Sequence, residues 1–372
     1  MSAGPYDAFL LVSFGGPEGM QDVLPFLRNV TRGRGVPEQR LAEVAEHYRH
    51  FGGVSPINAQ CRALLDAIGK DFAVAGLDLP LYWGNRNWRP YLAETVASMR
   101  DAGVRRALAF VTSAYGSYSS CRQYLEDIER ARAEVGAGAP VIDKLRHYHD
   151  HPGHIQPHAD ALRRALASLP GGGLAADGRE QTRVVFTAHS IPVAMASAAG
   201  ALSQLAASAA GSASAASERG VGGRYQAQLR EVAGLVAARA GWDGAWDLVW
   251  QSRSGPPQVP WLEPDITDHL RALREQGIAG VAVAPIGFIS DHLEVIWDLD
   301  TEAAQAAGEL GMDFVRAATP GTDPRFVAMV RELVVERLSP GTPRAALGAL
   351  PTWDACAVGC CTTARPGAVT SG

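Results

Sequence analysis

Short apolar runs alternate with longer amphipathic stretches along the chain. The apolar runs, rich in β-branched and aromatic residues, are strand candidates at 8–14, 79–85, 107–113, 182–188, 246–252 and 280–288. Most of them are apolar at nearly every position, which is typical of parallel strands that are covered on both faces. Helical periodicity fills the segments between them, most clearly at 37–50, 93–103, 158–169 and 267–277.

The repeated strand–helix–strand order predicts an open α/β sheet in each half of the chain. We expect an N-terminal domain at 1–160, a C-terminal domain at 161–320, a final helix packing back on the body at 321–345, and a cysteine-bearing tail at 346–372. An Ala-, Ser- and Gly-rich stretch at 197–223 lacks anchoring apolar residues. We interpret it as a mobile surface insertion in the second domain.

Composition and charge narrow the classes of function. The length of 372 residues fits two domains, and the net charge of -5 argues against a nucleic-acid partner. No apolar run approaches the roughly 18 residues of a transmembrane segment, and the N-terminus lacks the features of a signal peptide. The five cysteines do not resemble a secreted disulfide framework. These features predict a cytoplasmic enzyme or binding protein.

Three carboxylates in the segment SDHLEVIWDLDTE, residues 290–302, are spaced four residues apart. Glu294, Asp298 and Glu302 would share one face of a helix, where each pair of like charges costs roughly 0.2–0.5 kcal/mol. No Lys or Arg occurs between Arg274 and Arg316 to relieve this repulsion. An unpaired acidic row therefore indicates a functional role.

His189 directly follows one of the apolar strand candidates. Side chains at the carboxyl end of a parallel strand point into the crevice where open α/β sheets bind ligands. A histidine there is often structural, but a base that faces an acidic row suits proton removal or capture of a divalent cation. Asp291 and His292, just before the row, are candidates for an outer metal position.

Other catalytic patterns are weaker. The chain has no nucleophile elbow of the form G-x-S-x-G, and its segment LVSFGGPEG lacks the glycine and lysine spacing of nucleotide-binding loops. A dense histidine cluster lies at 147, 149, 151, 154 and 158. A metal site there is an alternative, but prolines and a glycine interrupt the cluster and no predicted strand or helix frames it.

Several segments together resemble the ferrochelatases in order and approximate spacing. They are LLVSFGGPE, YRHFGGVSPI, YWGNRNWRPYL, TSAYGSYSSCRQY, FTAHSIP, WQSRSGPPQVPWLEP and PIGFISDHLEVIWDLDTE. The resemblance covers about residues 7–340 outside the Ala/Ser-rich insertion. It implies two Rossmann-like domains, each an open parallel sheet flanked by helices, with the active site in the cleft between them.

The resemblance implies a lyase of haem biosynthesis that inserts Fe²⁺ into a porphyrin and releases two protons. The cysteines and the NRNW segment are most similar to the actinobacterial branch, whose members are understood to act on coproporphyrin III. The expected product is then Fe-coproporphyrin. Alternatives are a protoporphyrin IX ferrochelatase, a cobalt or nickel chelatase, and a non-catalytic haem- or porphyrin-binding protein on the same fold. Transient contact with neighbouring haem-pathway enzymes is a further expectation.

The resemblance also implies roles for individual residues. His189 is the base or metal-handling residue and Glu294 its acidic counterpart, and both are expected to contact Fe²⁺. Asp298 and Glu302 continue the row toward solvent as a route for protons or metal. The expected porphyrin contacts, for which core packing is the alternative at aromatic positions, are Phe14, Ser55, Arg86, Asn87, Trp88, Tyr115, Ser117 and Tyr118. Phe14 stands where related enzymes of another branch carry a Tyr ligand to the product iron, and Phe cannot coordinate iron.

Many ferrochelatases carry a 2Fe-2S cluster on a C-terminal extension. By resemblance, its ligands here are Cys121, Cys356, Cys360 and Cys361, a four-cysteine set. The tail spacing differs from the vertebrate-type pattern, so zinc or a redox dithiol is the alternative. Cys61 has helical apolar neighbours and is expected to be a buried small hydrophobe.

Overall fold

The computed structural model describes residues 5–33, 35–170, 180–200, 223–255, 258–356 and 359–362. Within these ranges, all strands are parallel and form two four-stranded sheets. The first sheet, in the order β2-β1-β3-β4, comprises β1 (Ala8–Ser13), β2 (Leu81–Asn85), β3 (Arg106–Val111) and β4 (Val141–Lys144). The second, in the order β6-β5-β7-β8, comprises β5 (Thr182–His189), β6 (Trp246–Gln251), β7 (Gly280–Ala284) and β8 (Asp313–Arg316). The two sheets share one topology, so the predicted α/β class with an open parallel sheet in each half is confirmed.

Helices flank both sheets. Those of the first half are α1 (Met20–Val30), α2 (Glu38–His50), α3 (Ile57–Val74), α4 (Leu92–Asp101) and α5 (Gln123–Val135), the last entered through a π-helix at Tyr118–Arg122. Those that follow are α6 (Pro152–Ser168), α7 (Val193–Ala198), α8 (Arg224–Ala240), α9 (Ile266–Glu275), α10 (Leu293–Val295), α11 (Ala304–Glu309) and α12 (Pro324–Leu338). A second π-helix at Ile296–Ala303, here called the acidic π-helix, joins α10 to α11.

The central strands are largely buried. Every residue of β1 and of β7 is buried, which explains their continuously apolar sequences. One apolar core joins the two sheets and includes residues of β1, β3, β5, α6 and α12. Helix α6 is continuous across 160–161, where the predicted domain boundary falls.

The final helix α12 packs back on the first half of the chain. Phe326 meets Phe110 of β3 edge to face at 6.2 Å between ring centroids. Arg331 pairs with Asp71 of α3 at 2.8 Å. None of the helices in the described ranges has the length and hydropathy that spanning a bilayer requires. Of the predicted insertion at 197–223, residues 201–222 lie outside the described residues.

Candidate active site

Strands β5 and β6 end side by side, with His189 paired in register with Gln251. This is the carboxyl edge of the second sheet, where open α/β folds bind ligands. The side chain of His189 is 34% exposed. The next residue, Ser190, is buried and donates its hydroxyl hydrogen to the Leu262 carbonyl at 2.8 Å. The strand end therefore directs the imidazole into the crevice and keeps the serine in a structural role.

Two contacts fix the His189 ring and backbone. Nδ1 lies against the carbonyl oxygen of Ser190, and in a neutral imidazole that contact assigns the hydrogen to Nδ1. The hydroxyl of Tyr225 donates to the His189 carbonyl at 2.9 Å. Nε2 is thus left with a free lone pair that can accept a proton.

An acidic partner lies opposite this nitrogen. Nε2 of His189 is 3.7 Å from Oε2 of Glu294, whose side chain is 47% exposed. Nδ1 of His292 lies 4.0 Å from the same carboxylate oxygen, and burial lowers the pKa of His292. The structure therefore brings together the histidine and the glutamate that the sequence paired.

The acidic row continues from α10 into the acidic π-helix. π-Helical turns are rare and occur frequently at functional sites. Asp298 accepts hydrogen bonds from the hydroxyl of Ser252 and, at 3.4 Å, from the amide of Gln251. Burial raises the pKa of Asp298 to about 8, and the charges of Glu294 and Glu302 add to this effect against the opposing hydrogen bonds. Asp298 is therefore largely protonated at neutral pH.

Apart from the two histidines beside Glu294, the row has no basic partner in the described part of the chain. No Lys or Arg there lies within ion-pair distance of the three carboxylates. Arg316 pairs instead with Asp291 at 3.1 Å and with Asp300 at 2.5 Å. Because Asp291 is engaged by this arginine, the outer metal position expected at Asp291 and His292 is not supported. Glu302 is exposed at the solvent end of the row.

Helices α1 and α2 of the first half close over the row. The imidazole of His47 stacks on the indole of Trp297 at 4.0 Å with an interplanar angle of 10°. Beside this contact lies a cavity of about 70 Å³, lined by Phe14, Phe26, Leu27, Val30, Val44, His47, Tyr48, Leu293, Glu294, Trp297 and Asp298. Phe14 and two of the predicted acidic residues thus face one enclosed space between the two halves.

The sequence interpretation missed the residues that support Asp298. Gln251 ends β6, and Ser252 follows it with φ of 61°, a left-handed conformation that is uncommon for residues other than glycine. That conformation accompanies the hydrogen bond from Ser252 to Asp298. The signal was present in the sequence, since two polar residues, Gln251 and Ser252, end the strand candidate at 246–252.

With this geometry established, known proteins identify the family. The sequence model of the Ferrochelatase family matches residues 6–338. The chain belongs to that family. A protein of Nocardia farcinica named coproporphyrin III ferrochelatase is 55% identical over 366 residues, which are 96% of this chain and 97% of the relative. A protein of the same name from Streptomyces coelicolor is 52% identical over 379 residues, covering 98% of this chain and 96% of the relative.

Three of the porphyrin contacts expected for this ferrochelatase, Trp88, Asn87 and Ser55, have different surroundings. Trp88 packs edge to face against Phe26 at 6.0 Å between centroids, beside the enclosed cavity. Asn87 and Ser55 are buried, and the Asn87 carbonyl accepts a hydrogen bond from the amide of Asn29 at 2.8 Å. Trp88 therefore belongs to the cleft wall, whereas Asn87 and Ser55 lie within the fold.

Arg86 is engaged in the body of the first half. Its guanidinium pairs with Asp127, and the two side chains are only 9% and 6% exposed. It also lies 3.7 Å above the centroid of the Tyr124 ring. The charge of Arg86 is therefore already paired inside the protein, and its predicted pairing with a propionate stays a prediction.

Tyr115 and Ser117 likewise use their hydroxyls internally. Tyr115 is 2% exposed and donates to the Ile286 carbonyl at 2.7 Å, across the two halves. Ser117 is fully buried, and its hydroxyl accepts from the backbone N–H of Ser120 at 3.1 Å. Both hydroxyls are thus engaged within the fold, and the predicted contacts of Tyr115 and Ser117 with porphyrin stay predictions.

The four cysteines expected to hold a cluster converge. Cys121, in the first π-helix, hydrogen-bonds Cys356 of the tail, and Cys356 in turn contacts Cys360. The sulfur atoms of Cys360 and Cys361 are 3.6 Å apart, and the backbone N–H of Gly200 donates to the sulfur of Cys361 at 3.3 Å. The tail thus brings three thiols to the single thiol of the body.

The surroundings of this cysteine group favour a thiolate. The hydrogen bond from Cys356 holds the pKa of Cys121 well below its usual range. Contact with Cys360 raises the pKa of Cys361. The guanidinium of Arg224 stacks on Trp353 at 3.8 Å and interacts electrostatically with all four cysteines. The tail and the body thus place four thiols next to one another and next to a cation.

Tyr118 and Cys61 are the two remaining residues for which the sequence predicted a role. Tyr118 lines a surface pocket with Cys360 and Cys361 and donates to Glu126 at 2.8 Å, so its expected contact with porphyrin is not supported. Cys61 is 2% exposed, with its sulfur 3.1 Å from the Ser13 hydroxyl. Its predicted burial is confirmed.

Proposed function

We propose that this ferrochelatase inserts Fe²⁺ into coproporphyrin III, giving Fe-coproporphyrin and two protons. The names of the Nocardia farcinica and Streptomyces coelicolor relatives state this substrate, and the matches extend over at least 96% of this chain. The observation that carries the proposal is the separation of 3.7 Å between Nε2 of His189 and Oε2 of Glu294 at the sheet edge.

The charge balance of the reaction explains why a base and an acid meet there. A free-base porphyrin carries two pyrrole N–H protons, and the dication takes their place in the macrocycle. The unprotonated Nε2 of His189 accepts a pyrrole proton as a general base. The nearby carboxylate of Glu294 stabilises the imidazolium that results.

We propose that the rest of the acidic row removes these protons. Asp298, with its pKa near 8, can take up and release a proton close to neutral pH. Glu302 is exposed and delivers the proton to water. The aromatic side chains Phe14 and Trp88 form the apolar wall that suits a flat macrocycle.

We also propose that the converging cysteines Cys121, Cys356, Cys360 and Cys361 hold a 2Fe-2S cluster. Their contacts and the adjacent Arg224 support this ligand set. Metal insertion transfers no electron, so the reaction itself gives the cluster no redox role. Such a cluster instead supplies a rigid four-thiolate link between the tail and the body, or a redox-sensitive element. Zinc remains the competing occupant of the same donor set.

The test is anaerobic insertion of Fe²⁺, followed by porphyrin absorbance, with coproporphyrin III and protoporphyrin IX in parallel. His189→Ala should lower the insertion rate by at least about 100-fold while porphyrin binding, followed by fluorescence titration, stays within a few-fold. The matched control is His269→Ala, which removes a histidine paired with Asp247 at 3.0 Å on another surface.

Each contrary outcome has a distinct meaning. Near-normal turnover by His189→Ala would make the assigned base wrong. Preference of the wild type for protoporphyrin IX would overturn the substrate but keep the enzyme class. Tight binding of both porphyrins without insertion would place the chain among non-catalytic porphyrin-binding proteins.

A further inference from the structure

A second group of metal-ligating side chains lies outside the active site. His149 and Asp150 follow β4, and Glu231 projects from α8. One potential ligand atom from each lies within 4.8 Å of the other two. Nε2 of His149 is 3.5 Å from Oε2 of Glu231. This group contains neither His189 nor Glu294.

His149 and Asp150 are buried, Glu231 is partly buried, and each of the three has at least one side-chain polar atom without a hydrogen-bond partner in the described ranges. His149 is 0% exposed and Asp150 is 1% exposed. Among the residues that the structure describes, none completes a hydrogen bond to either ring nitrogen of His149, to Oδ1 of Asp150 or to Oε2 of Glu231. Native proteins satisfy the large majority of their buried polar atoms. One ligand atom from each of the three residues lies within 4.8 Å of the other two, so these unsatisfied groups indicate a ligand that contacts one atom of each residue.

The local charge points to a cation. The basic side chain near Asp150 is Arg146, whose Nη1 lies 4.0 Å from Oδ1. That arginine forms a two-pronged pair with Glu336 at 2.7 and 2.9 Å, which already balances its charge. Burial raises the pKa of Asp150, as expected for a carboxylate that lacks an adequate counter-ion.

We propose that His149, Asp150 and Glu231 bind a divalent transition-metal ion with the preferences of Zn²⁺. One imidazole nitrogen and two carboxylate oxygens are a ligand set for zinc and its neighbours rather than for Ca²⁺ or Mg²⁺. The two carboxylates balance the charge of the dication. The proposal does not rest on iron insertion at His189.

The ion fastens the C-terminal tail. Oε1 of Glu231 accepts hydrogen bonds from the backbone N–H groups of Ala349 and Leu350 at 2.6 and 3.1 Å. Leu347 donates to the Asp150 carbonyl at 2.9 Å. A Cβ atom on Gly348 would lie 2.3 Å from Oε2 of Glu231. The tail thus crosses directly over the group on its way to the three tail cysteines.

The experiment titrates metal-stripped full-length protein with Zn²⁺ and, separately, with Co²⁺. The background variant His189→Ala/Glu294→Gln removes binding at the active site. In this background, Glu231→Gln should weaken one equivalent of binding by more than about 100-fold, because loss of supporting partners alone costs about 10–100-fold. Glu302→Gln is the matched control and should leave that equivalent intact. The Co²⁺ spectrum separates this site from the cysteines, since thiolate ligands give charge-transfer bands that nitrogen and oxygen ligands lack.

A second variant is needed because Glu231→Gln also alters the side chain that accepts hydrogen bonds from the tail. A folding defect in that variant would look like a loss of metal binding. Asp150→Asn keeps its backbone contact to Leu347 and should lose the same equivalent of Zn²⁺. Stripping the metal should speed proteolysis of the tail in the background protein but not in Asp150→Asn. Equal Zn²⁺ stoichiometry and affinity in Glu231→Gln, Asp150→Asn and Glu302→Gln would overturn the proposal and leave a metal-free histidine–carboxylate cluster.

Discussion

The protonation of Asp298 should make the stability of the protein fall as the pH rises. Its pKa is about 8 in the folded state and about 4 in an unfolded chain. Between these values the folded state holds a proton that the unfolded state has lost, so rising pH favours unfolding. Asp298→Asn, which mimics the neutral carboxyl group, should remove this dependence.

The magnitude follows from the size of the shift. Each pKa unit corresponds to about 1.4 kcal/mol, so the interval from pH 5 to pH 8 amounts to roughly 4 kcal/mol. Asp298 is only partly shielded from solvent, and water screens such a group. We therefore expect Asp298→Asn to gain about 2 kcal/mol in unfolding free energy relative to the wild type across that interval.

Urea denaturation at pH 5, 6, 7 and 8, followed by circular dichroism, measures this difference. Glu302→Gln is the control, because it changes an exposed carboxylate of the same row. Equal m-values are required for the midpoints to report stability alone. If the unfolding free energies of Asp298→Asn and the wild type ran parallel with pH, the buried, protonated state of Asp298 would be refuted. The same substitution should slow iron insertion, since an amide cannot relay a proton.

Three further substitutions test the assignments in the body and tail. Arg86→Ala should lower the unfolding free energy by about 1.5–3 kcal/mol in urea denaturation, because it removes a buried charge-assisted hydrogen bond and leaves Asp127 with Arg130, at 2.6 Å, as its remaining partner; weaker porphyrin binding at unchanged stability would contradict this. Tyr115→Phe should cost about 1–3 kcal/mol by orphaning the Ile286 carbonyl and should leave the porphyrin dissociation constant unchanged in fluorescence titration. Cys360→Ser should bleach the visible absorption of anaerobically purified protein if a 2Fe-2S cluster is bound, and unchanged colour would remove this cysteine from the ligand set.

The sequence predicted all four central strands and the edge strands β2 and β6, and it missed the other two edge strands for a physical reason. The six predicted strands include every strand that is continuously buried, such as β1 and β7. Strands β4 and β8 lie at the sheet edges, have four residues each and are partly exposed. So short a run gives no clear apolar period. The histidine segment was misjudged as well, since α6 begins at Pro152 and includes His154 and His158.

Residues of the candidate site were predictable where the neighbouring sequence alone indicates them. His189 was found because it ends an apolar strand, and Glu294 because its row of acids lacks nearby cations in the sequence. Whether a polar residue contacts the porphyrin depends on partners that are distant from it in the sequence. Tyr115 bonds a carbonyl 171 residues away, and Arg86 pairs with a carboxylate 41 residues away. A single sequence does not reveal whether such polar groups face a ligand or each other.

Selective pairing on the acidic π-helix supports the proposed direction of proton flow. Arg316 pairs with Asp300 on the acidic π-helix. In the described part of the chain, the face of this helix that carries Asp298 and Glu302 has no such arginine or lysine. Along that face the environment changes from the shielded carboxyl of Asp298, which keeps its proton, to the half-exposed Glu294 and the exposed Glu302. Burial, rather than ion pairing, therefore sets the protonation of Asp298. Asp298 has a pKa near neutral pH and lies in the row between the base, His189, and the exposed Glu302. It can therefore pass protons toward solvent, because no arginine or lysine of the described ranges pairs with it and holds it in the charged form.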